Sequence, residues 1–437
     1  MSKSKIFLLG SLIFLSANFV WLKFFDTSQN NPDFIYDQFY SFKAIIKNTD
    51  KKLNGWQVII QPQDLDNYFG NILLTTSLYP EYNISDILEV ACKINKPGIL
   101  VDDDGSEFDY SKYLSKSNIY ATCYRPRLKV IGQQKDIAFY LGASKQYFFN
   151  NLDKNLVEPA SSLSKAISLA SRREIPEDLR NQFAKTGLSH VIAISGLHMA
   201  IIVWLLQSLL MALGIRRQTS FIYLFLFLLI YLYLIGFVPS AMRASLMVMM
   251  VLLGPILRRQ TMSVYSLILA ADIFVLFNPE LLVYDIGFQL SFLAVLGLLW
   301  YVRFFNKVLV FIPKVFKLRE VLSVTLAAQV LTWPLIVYYF KIFSVIAPLA
   351  NFLVLPLLPA ILLCSLLLAL VGFMPVIATI VSWPLFILFK IMIIITQNLV
   401  KIPGAYININ NFSVEFLIIS FIFIFLLTFI IKPYNYE

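Results

Sequence analysis

Between Leu188 and Ile431 the chain passes through one apolar run after another, each near the roughly 20 residues that a bilayer requires. A run such as "FIYLFLFLLIYLYLIGF", from Phe221 to Phe237, has no polar face to turn toward water. It cannot be one side of an amphipathic helix on a soluble core. Candidate spans fall at about 189–213, 219–238, 240–257, 262–277, 285–303, 320–340, 344–371, 376–400 and 411–431. Pro348, Pro356, Pro359, Pro375 and Pro384 interrupt the later ones, which leaves room there for a re-entrant or interfacial piece. The predicted class is a polytopic α-helical membrane protein. Composition agrees: 58% of residues are hydrophobic and 14% charged, against about a quarter charged in soluble domains.

The net charge of +10 has two readings. It reflects Lys and Arg in cytoplasmic loops, or it serves an anionic ligand. Arg216/Arg217, Arg258/Arg259 and the group Arg303, Lys307, Lys314, Lys317 and Arg319 follow the first, third and fifth spans. The positive-inside rule puts all three clusters in the cytoplasm and residues 34–186 outside. The start, "MSKSKIFLLGSLIFLSANFVWLKFF" (1–25), has a basic end and an apolar run from Ile6 to Leu22, with no small-x-small cleavage site after it. It reads as an uncleaved anchor with a cytoplasmic N-terminus.

Residues 34–140 change character. Five short β-rich runs, "FYSFKAII", "WQVIIQP", "NILLTTSL", "ILEVACKI" and "IYATCYRPRLKVIG", alternate with turn-rich stretches. They predict a small extracytoplasmic barrel or sandwich. The insertion "NKPGILVDDDGSEFDYSKYLSKSN" separates the last two runs, and its "DDDG" lacks the spacing of a calcium loop. Outside the cytoplasm, Cys92 and Cys123 form a natural disulfide pair, whereas Cys364 lies in an apolar run as a small core residue. Residues 141–186 are amphipathic. "SSLSKAISLASR" sets Leu163, Ala166, Ile167 and Ala170 on one face with Arg172 and Arg173 at its end, a pattern for a helix lying at the membrane interface. "IPEDLRNQF" starts a further helix near Pro176, with Glu177 and Asp178 in its first turn.

The polar residues within spans carry the functional question. Both histidines of the chain lie in "GLSHVIAISGLHM" (187–199). Two histidines and no C-x-x-C give no metal site of ordinary spacing. Ser195 and His198 raise a serine hydrolase, but nucleophile and base must approach about 3 Å in alignment, which neighbours on one helix rarely do. Gly187 and Gly196 permit close backbone approach, and the Ser-Gly step is a place for a membrane helix to break. On a continuous helix His190 and His198 fall about 80° apart and share a face. Arg243, Asp272, Asp285, Gln289, Ser291 and Asn351 add polar groups at membrane depth. They form buried pairs such as Arg243 with Asp272 or Asp285, or they line a polar pathway. No Gly is followed by Lys, so no P-loop supplies a built-in motor.

Four stretches, "GLSHVIAISGLHM", "PSAMRASLM", "NPELLVYDIGFQLSFLAVLGL" and "VIAPLANFLVLPLLP", resemble in order and spacing the successive signatures of the ComEC family of bacterial competence proteins. "SEFDYSKYLSKSNIYATCY" is similar to the Phe-Asp-Tyr-x-x-Tyr-Leu stretch of that family's oligonucleotide-binding (OB) fold domain. The resemblance covers about residues 34–431. It implies an N-terminal OB-fold-like β domain (34–140), interfacial helices (141–186) and a transmembrane helical channel domain (187–431). It implies passage of transforming DNA, as a single strand, through the cytoplasmic membrane, without a cofactor or a catalytic residue. By matching positions the polar pathway takes in His190, Ser195, Gly196, His198, Arg243, Asp285, Gln289 and Asn351. Transport of another anionic substrate and, less favoured, an intramembrane hydrolase are the competing functions.

Single strands bind to basic grooves with aromatic platforms. The β region offers Tyr110, Tyr113, Tyr120, Tyr124, Arg125, Arg127 and Lys129, which serve equally well to stabilise the barrel and its docking. Many family members carry a C-terminal metallo-β-lactamase-like nuclease domain. Here "IIKPYNYE" ends the sequence and no H-x-H-x-D-H cluster is present. The expected partners are therefore single-stranded DNA, membrane lipids, a separate nuclease, and a cytoplasmic translocase or single-strand-binding protein that pulls the strand.

Overall fold

The computed structural model describes residues 10–11, 14–18, 34–52, 55–101, 107–115, 117–172, 174–256, 263–312, 318–409 and 412–431. The anchor expected over residues 1–25 is described only at helical residues 10–11 and 14–18. The "DDDG" turn, Arg173, Arg258/Arg259, Lys314 and Lys317 lie outside the described residues. The chain divides into two units: Met1–Tyr147 with Asp272–Ile286, and Phe148–Ala271 with Gly287–Glu437.

Alternation of apolar and polar residues builds the sheet of the first unit. Its strands are β1 (Gln38–Lys52), β2 (Gly55–Pro62), β3 (Asn71–Thr76), β4 (Asp86–Ile94), the short pair β5 (Ile99–Val101) and β6 (Glu107–Asp109), then β7 (Ile119–Tyr124) and β8 (Arg127–Gln133). Helix α1 (Tyr110–Ser115) separates β6 from β7. In β4, Leu88, Val90, Cys92 and Ile94 point inward and are buried, while Glu89 and Lys93 between them are exposed. Phe42, Ala44, Ile46, Val58, Ile60, Ile72, Leu74, Ala121 and Cys123 complete that core.

The main sheet has the order β7-β3-β2-β1-β4-β8. All neighbours are antiparallel except β3 and β7, which run parallel. Beyond the end of β4, Asn95 exchanges two 2.9 Å backbone hydrogen bonds with Thr122 of β7. The Cys92–Cys123 disulfide joins the same two strands, with Cα atoms 6.4 Å apart and a sequence separation of 31. Closing a loop of that length stabilises a fold by about 3–4 kcal/mol. The run expected as one last strand, "IYATCYRPRLKVIG", is two. Arg125 takes a positive φ of 49° before Pro126, and the chain turns from β7 into β8 on the other edge. Proline removes a ladder donor, so a central strand cannot continue through it.

Asp136 ends the β region and starts α2 (Ile137–Asn155). Its carboxylate accepts bonds from the Phe139 N–H (2.9 Å) and the Ser85 hydroxyl (2.8 Å). These bonds, that from Phe139 first, hold it below the usual carboxylate range.

The second unit is helical. It contains α3 (Ala160–Leu169), α4 (Glu177–Lys185), α5 (Gly196–Ala212), α6 (Arg217–Leu234) and α7 (Pro239–Ile256). Helix α8 (Ser263–Phe277) leads out of it through α9 (Leu281–Tyr284), and α10 (Ile286–Val308) leads back. Then come α11 (Leu318–Phe340), β9 (Ile342–Ser344), α12 (Ala347–Val354), α13 (Leu358–Val371), α14 (Pro375–Val400), β10 (Tyr406–Asn408) and α15 (Val414–Ile431). Among the described residues, five segments are long and apolar enough to cross a membrane: 217–234, 286–311, 318–340, 347–371 and 375–400. Shorter apolar helices cover 196–212, 239–254, 264–277 and 414–428. Four of the five prolines that interrupt the later spans sit where the lost N–H costs least, whereas Pro384 lies inside α14. Pro348, Pro359 and Pro375 occupy the first turns of α12, α13 and α14, and Pro356 lies in a 3₁₀ turn between α12 and α13.

Helix α3 departs from the amphipathic pattern. Its polar face, Ser161, Ser162, Ser164, Lys165 and Ser168, is as buried as Leu163, Ala166 and Ile167. Burial is tolerated because most of these polar groups find partners, the Ser164 hydroxyl being an exception. Lys165 Nζ lies 2.6 Å from Asp153 and 2.5 Å from Glu174. Ser161 donates to Asp153 at 2.6 Å, and Tyr231 of α6 donates to the Ser168 carbonyl at 2.6 Å.

Candidate functional site

The stretch 187–199 is not one helix. Gly187 has a φ of +73°, and an added Cβ there would lie 2.5 Å from the Ala347 Cβ at the start of α12. Only glycine fits both the backbone and the contact. Residues 188–195 are turns and extended chain, and the helix begins at Gly196. The expectation of two histidines on one helical face is therefore corrected. His190 sits in the turn, exposed, its Nδ1 3.1 Å from the Gly187 carbonyl, while His198 is fully buried in the first turn of α5. The Ser-Gly step marks where the helix starts, not a break within it. Gly196 meets only ordinary contact, the Ala244 Cβ at 3.7 Å.

Ser195 is the residue before α5, in extended conformation (φ −125°, ψ 176°). Its backbone N–H donates to His198 Nδ1 at 3.3 Å, and its hydroxyl lies 3.0 Å from the same nitrogen. The sequence reading held that such neighbours rarely approach this closely. They do so here because Ser195 lies outside the helix. The pairing reproduces a capping box with histidine in the place of Glu or Gln. A Ser195→Ala chain is expected to lose about 1 kcal/mol of stability, the cost of a helix cap, and to keep its biological activity. Unaltered activity of a stably accumulated Ser195→Ala protein would remove the reading of a nucleophilic serine.

The other signature stretches close on this one. Ser240, in the first turn of α7, donates to the Ile194 carbonyl at 2.6 Å. One turn on, Arg243 is 1% exposed. Its Nη2 donates to the Gly287 carbonyl at 2.7 Å, and its guanidinium carbon lies 5.4 Å from the centre of the Phe288 ring. Gly287 and Phe288 belong to the first turn of α10, where Gln289 is half-buried. Asn351 in α12 is buried, its Nδ2 3.4 Å from Thr325 Oγ1 of α11. Asp285 is buried where α9 ends, within the first unit. Contacts thus join residues 187–199 to α7 and α12, α7 to α10, and α12 to α11. Sequence reading missed Ser240 and Thr325, small hydroxyls with no charge to mark them. It also missed Gly297, where an added Cβ would lie 2.4 Å from the Ala327 carbonyl oxygen.

In the first unit Tyr113 (42%) and Tyr124 (61%) are exposed, as are Arg125, Arg127 and Lys129. Tyr113 stacks on Tyr110 with centroids 6.1 Å apart. Lys129 stands opposite Glu89 in register, a cross-strand pair that contributes to the sheet.

Apolar helices with large side chains on their outer faces, for example Ile222, Phe225, Leu229, Ile380, Trp383 and Ile387, enclose a buried arginine and asparagine. That arrangement defines a multi-pass membrane protein. Residues 167–434, more than half of the chain, match the model of the Competence protein family, and the chain belongs to that family. ComE operon protein 3 of Bacillus subtilis (strain 168) is 25% identical over 323 residues, which cover 72% of this chain and 40% of that protein. The chain thus spans about two fifths of the length of that curated relative. No solved structure matches.

Proposed function

We propose that this protein conducts transforming DNA, as a single strand, across the bacterial cytoplasmic membrane. The observation that carries this reading is Arg243, a cation buried among apolar helices where three of the four signature stretches meet. Buried charge at membrane depth has a high desolvation cost and is retained where it serves a partner or a pathway. His190, Ser195, Gly196, His198, Asp285, Gln289 and Asn351 belong to the same polar route in this reading.

The β unit is read as an OB-type barrel on the outer side. The parallel β3–β7 pair and the Asn95–Thr122 bridge bring the five strands β1, β2, β3, β7 and β4 toward closure, as that fold requires. Exposed Tyr113, Tyr124, Arg125, Arg127 and Lys129 are its candidate strand contacts. Residues 1–25 anchor the chain with the N-terminus inside, 141–186 join the two domains, and 187–431 form the channel. Bases stack on aromatic rings and phosphates pair with cations whatever the sequence, which suits transport of arbitrary DNA. A separate nuclease supplies the single strand, and a cytoplasmic translocase or single-strand-binding protein draws it in.

Deletion of the gene in a naturally transformable host is expected to leave DNA binding at the cell surface intact and to reduce transformants to background, with restoration by a plasmid copy. Transformation at the parental frequency would overturn the proposal and favour a different anionic cargo.

A further inference from the structure

The surface of the β unit is unevenly apolar. Ile35 (61% exposed), Phe39 (82%) and Phe69 (73%) flank a buried knot centred on Phe34. The Phe34 ring lies 5.0, 5.1 and 5.0 Å from the rings of Tyr36, Tyr40 and Tyr68. The Tyr40 hydroxyl donates to the Ile35 carbonyl at 2.7 Å, which fixes the chain entry against β1. Large apolar side chains exposed at one end of a domain are candidates for an interaction surface.

Two independent features say what covers it. Phe34 follows the apolar run Ile6–Leu22 by only 12 residues, so this rim is the part of the domain tethered to the predicted anchor. The same rim is also tied to the connector between apolar helices α8 and α10. Asn71, two residues after Phe69, donates its N–H to the Asn118 carbonyl at 2.6 Å. Asn118 N–H donates to the Ser115 carbonyl at 2.8 Å, and the Ser115 hydroxyl to Glu280 at 2.8 Å. Lys112 of α1 lies 5.5 Å over the ring of Tyr284 in the same connector. Membrane-bound segments therefore attach to this rim from both directions along the chain.

We propose that the Ile35–Phe39–Phe69 rim is seated in the bilayer itself, with the aromatic rings at the level of the lipid headgroups. Phe side chains occur on the buried face of elements held at that boundary. Amphipathic surfaces held there sink about 5–10 Å into the headgroup and acyl boundary. The seat holds the β unit against the membrane while leaving its far end in water. Tyr79 marks that far end. It is 79% exposed and lies beside the β1–β2 hairpin, where Trp56 pairs with Lys51 and donates to the Leu78 carbonyl at 3.0 Å. From Phe39 to Lys51 is 12 residues, roughly 40 Å of strand. The proposal rests on the membrane assignment of the helices and is independent of what they transport.

The test uses the full chain with Cys364→Ser, reconstituted into phosphatidylcholine–phosphatidylglycerol vesicles. Phe39→Cys, Phe69→Cys and Tyr79→Cys each take an environment-sensitive fluorophore in turn. All three side chains are exposed, so the core is undisturbed. Probes at 39 and 69 are expected to emit to the blue, to be quenched by a nitroxide carried on the upper acyl chain, and to resist soluble iodide. The probe at 79 is expected to show the reverse. Equal iodide quenching at all three positions, or equal lipid quenching at all three, would overturn the proposal.

Discussion

A chain carrying Arg243→Met is expected to reach the membrane in normal amount and to transform about 10- to 100-fold less often, the consequence of one lost charge-assisted contact of about 1.5–3 kcal/mol. The logic turns on where the cation sits. Arg243 is 1% exposed, held by the Gly287 carbonyl and the face of Phe288. Methionine keeps much of its volume without its charge. The change leaves the Gly287 carbonyl short of a donor, a cost of about 1–3 kcal/mol, so protein level is read beside transformation. If Arg243 were only a packing element, the Met chain would transform normally, and that outcome would sink its place in the pathway. Arg243→Lys keeps the charge but loses the planar fork and the ring stacking, so an intermediate transformation frequency is expected. Arg243→Glu sets an anion against a carbonyl oxygen and the negative face of a ring, and is expected to lower both protein level and transformation. Membrane immunoblots and transformant counts on the same cultures separate the two effects.

What could be read in advance followed from how locally each feature is encoded. The apolar helices were legible because a bilayer demands a continuous run, and every candidate span lies on an apolar helix. The strands were legible by alternation, apart from the split at Arg125–Pro126, which the proline signalled. The helical start was expected near residue 189, whereas the helix begins at Gly196. The apolar residues of 187–199 gave the pattern of a helix, but the positive φ of Gly187 answers to Ala347, 160 positions away. The burial of the serine-rich face of α3 was not legible for the same reason. Burial of Lys165 depends on Asp153 and Glu174, and no periodicity within "SSLSKAISLASR" reports them.

The Lys165 cluster gives the other large expected effect. Lys165→Met should lower the unfolding free energy by about 2–4 kcal/mol. Removing one partner from a buried ion cluster costs about 3–5 kcal/mol, reduced here because Asp153 is 48% exposed and screened by water. Burial alone pulls the ammonium pKa down, but the bonds it donates to Asp153 and then Glu174 outweigh it, and the net shift is upward. The native state therefore holds this proton more tightly than the unfolded chain. The stabilisation is full below the unfolded value of about 10.4 and is lost as pH rises through the higher folded value, where the unfolded state binds fewer protons. Thermal melting of detergent-solubilised protein across the alkaline range should show the wild-type chain losing stability steeply while Lys165→Met falls less. Parallel alkaline losses in the two proteins would show that the cluster does not hold α3 in place through this charge. Because α3 is buried on every side and receives Tyr231 of α6 at Ser168, a loosened Lys165 should also expose α3 to protease before the apolar helices, and limited proteolysis of the two proteins at neutral pH reads that order directly.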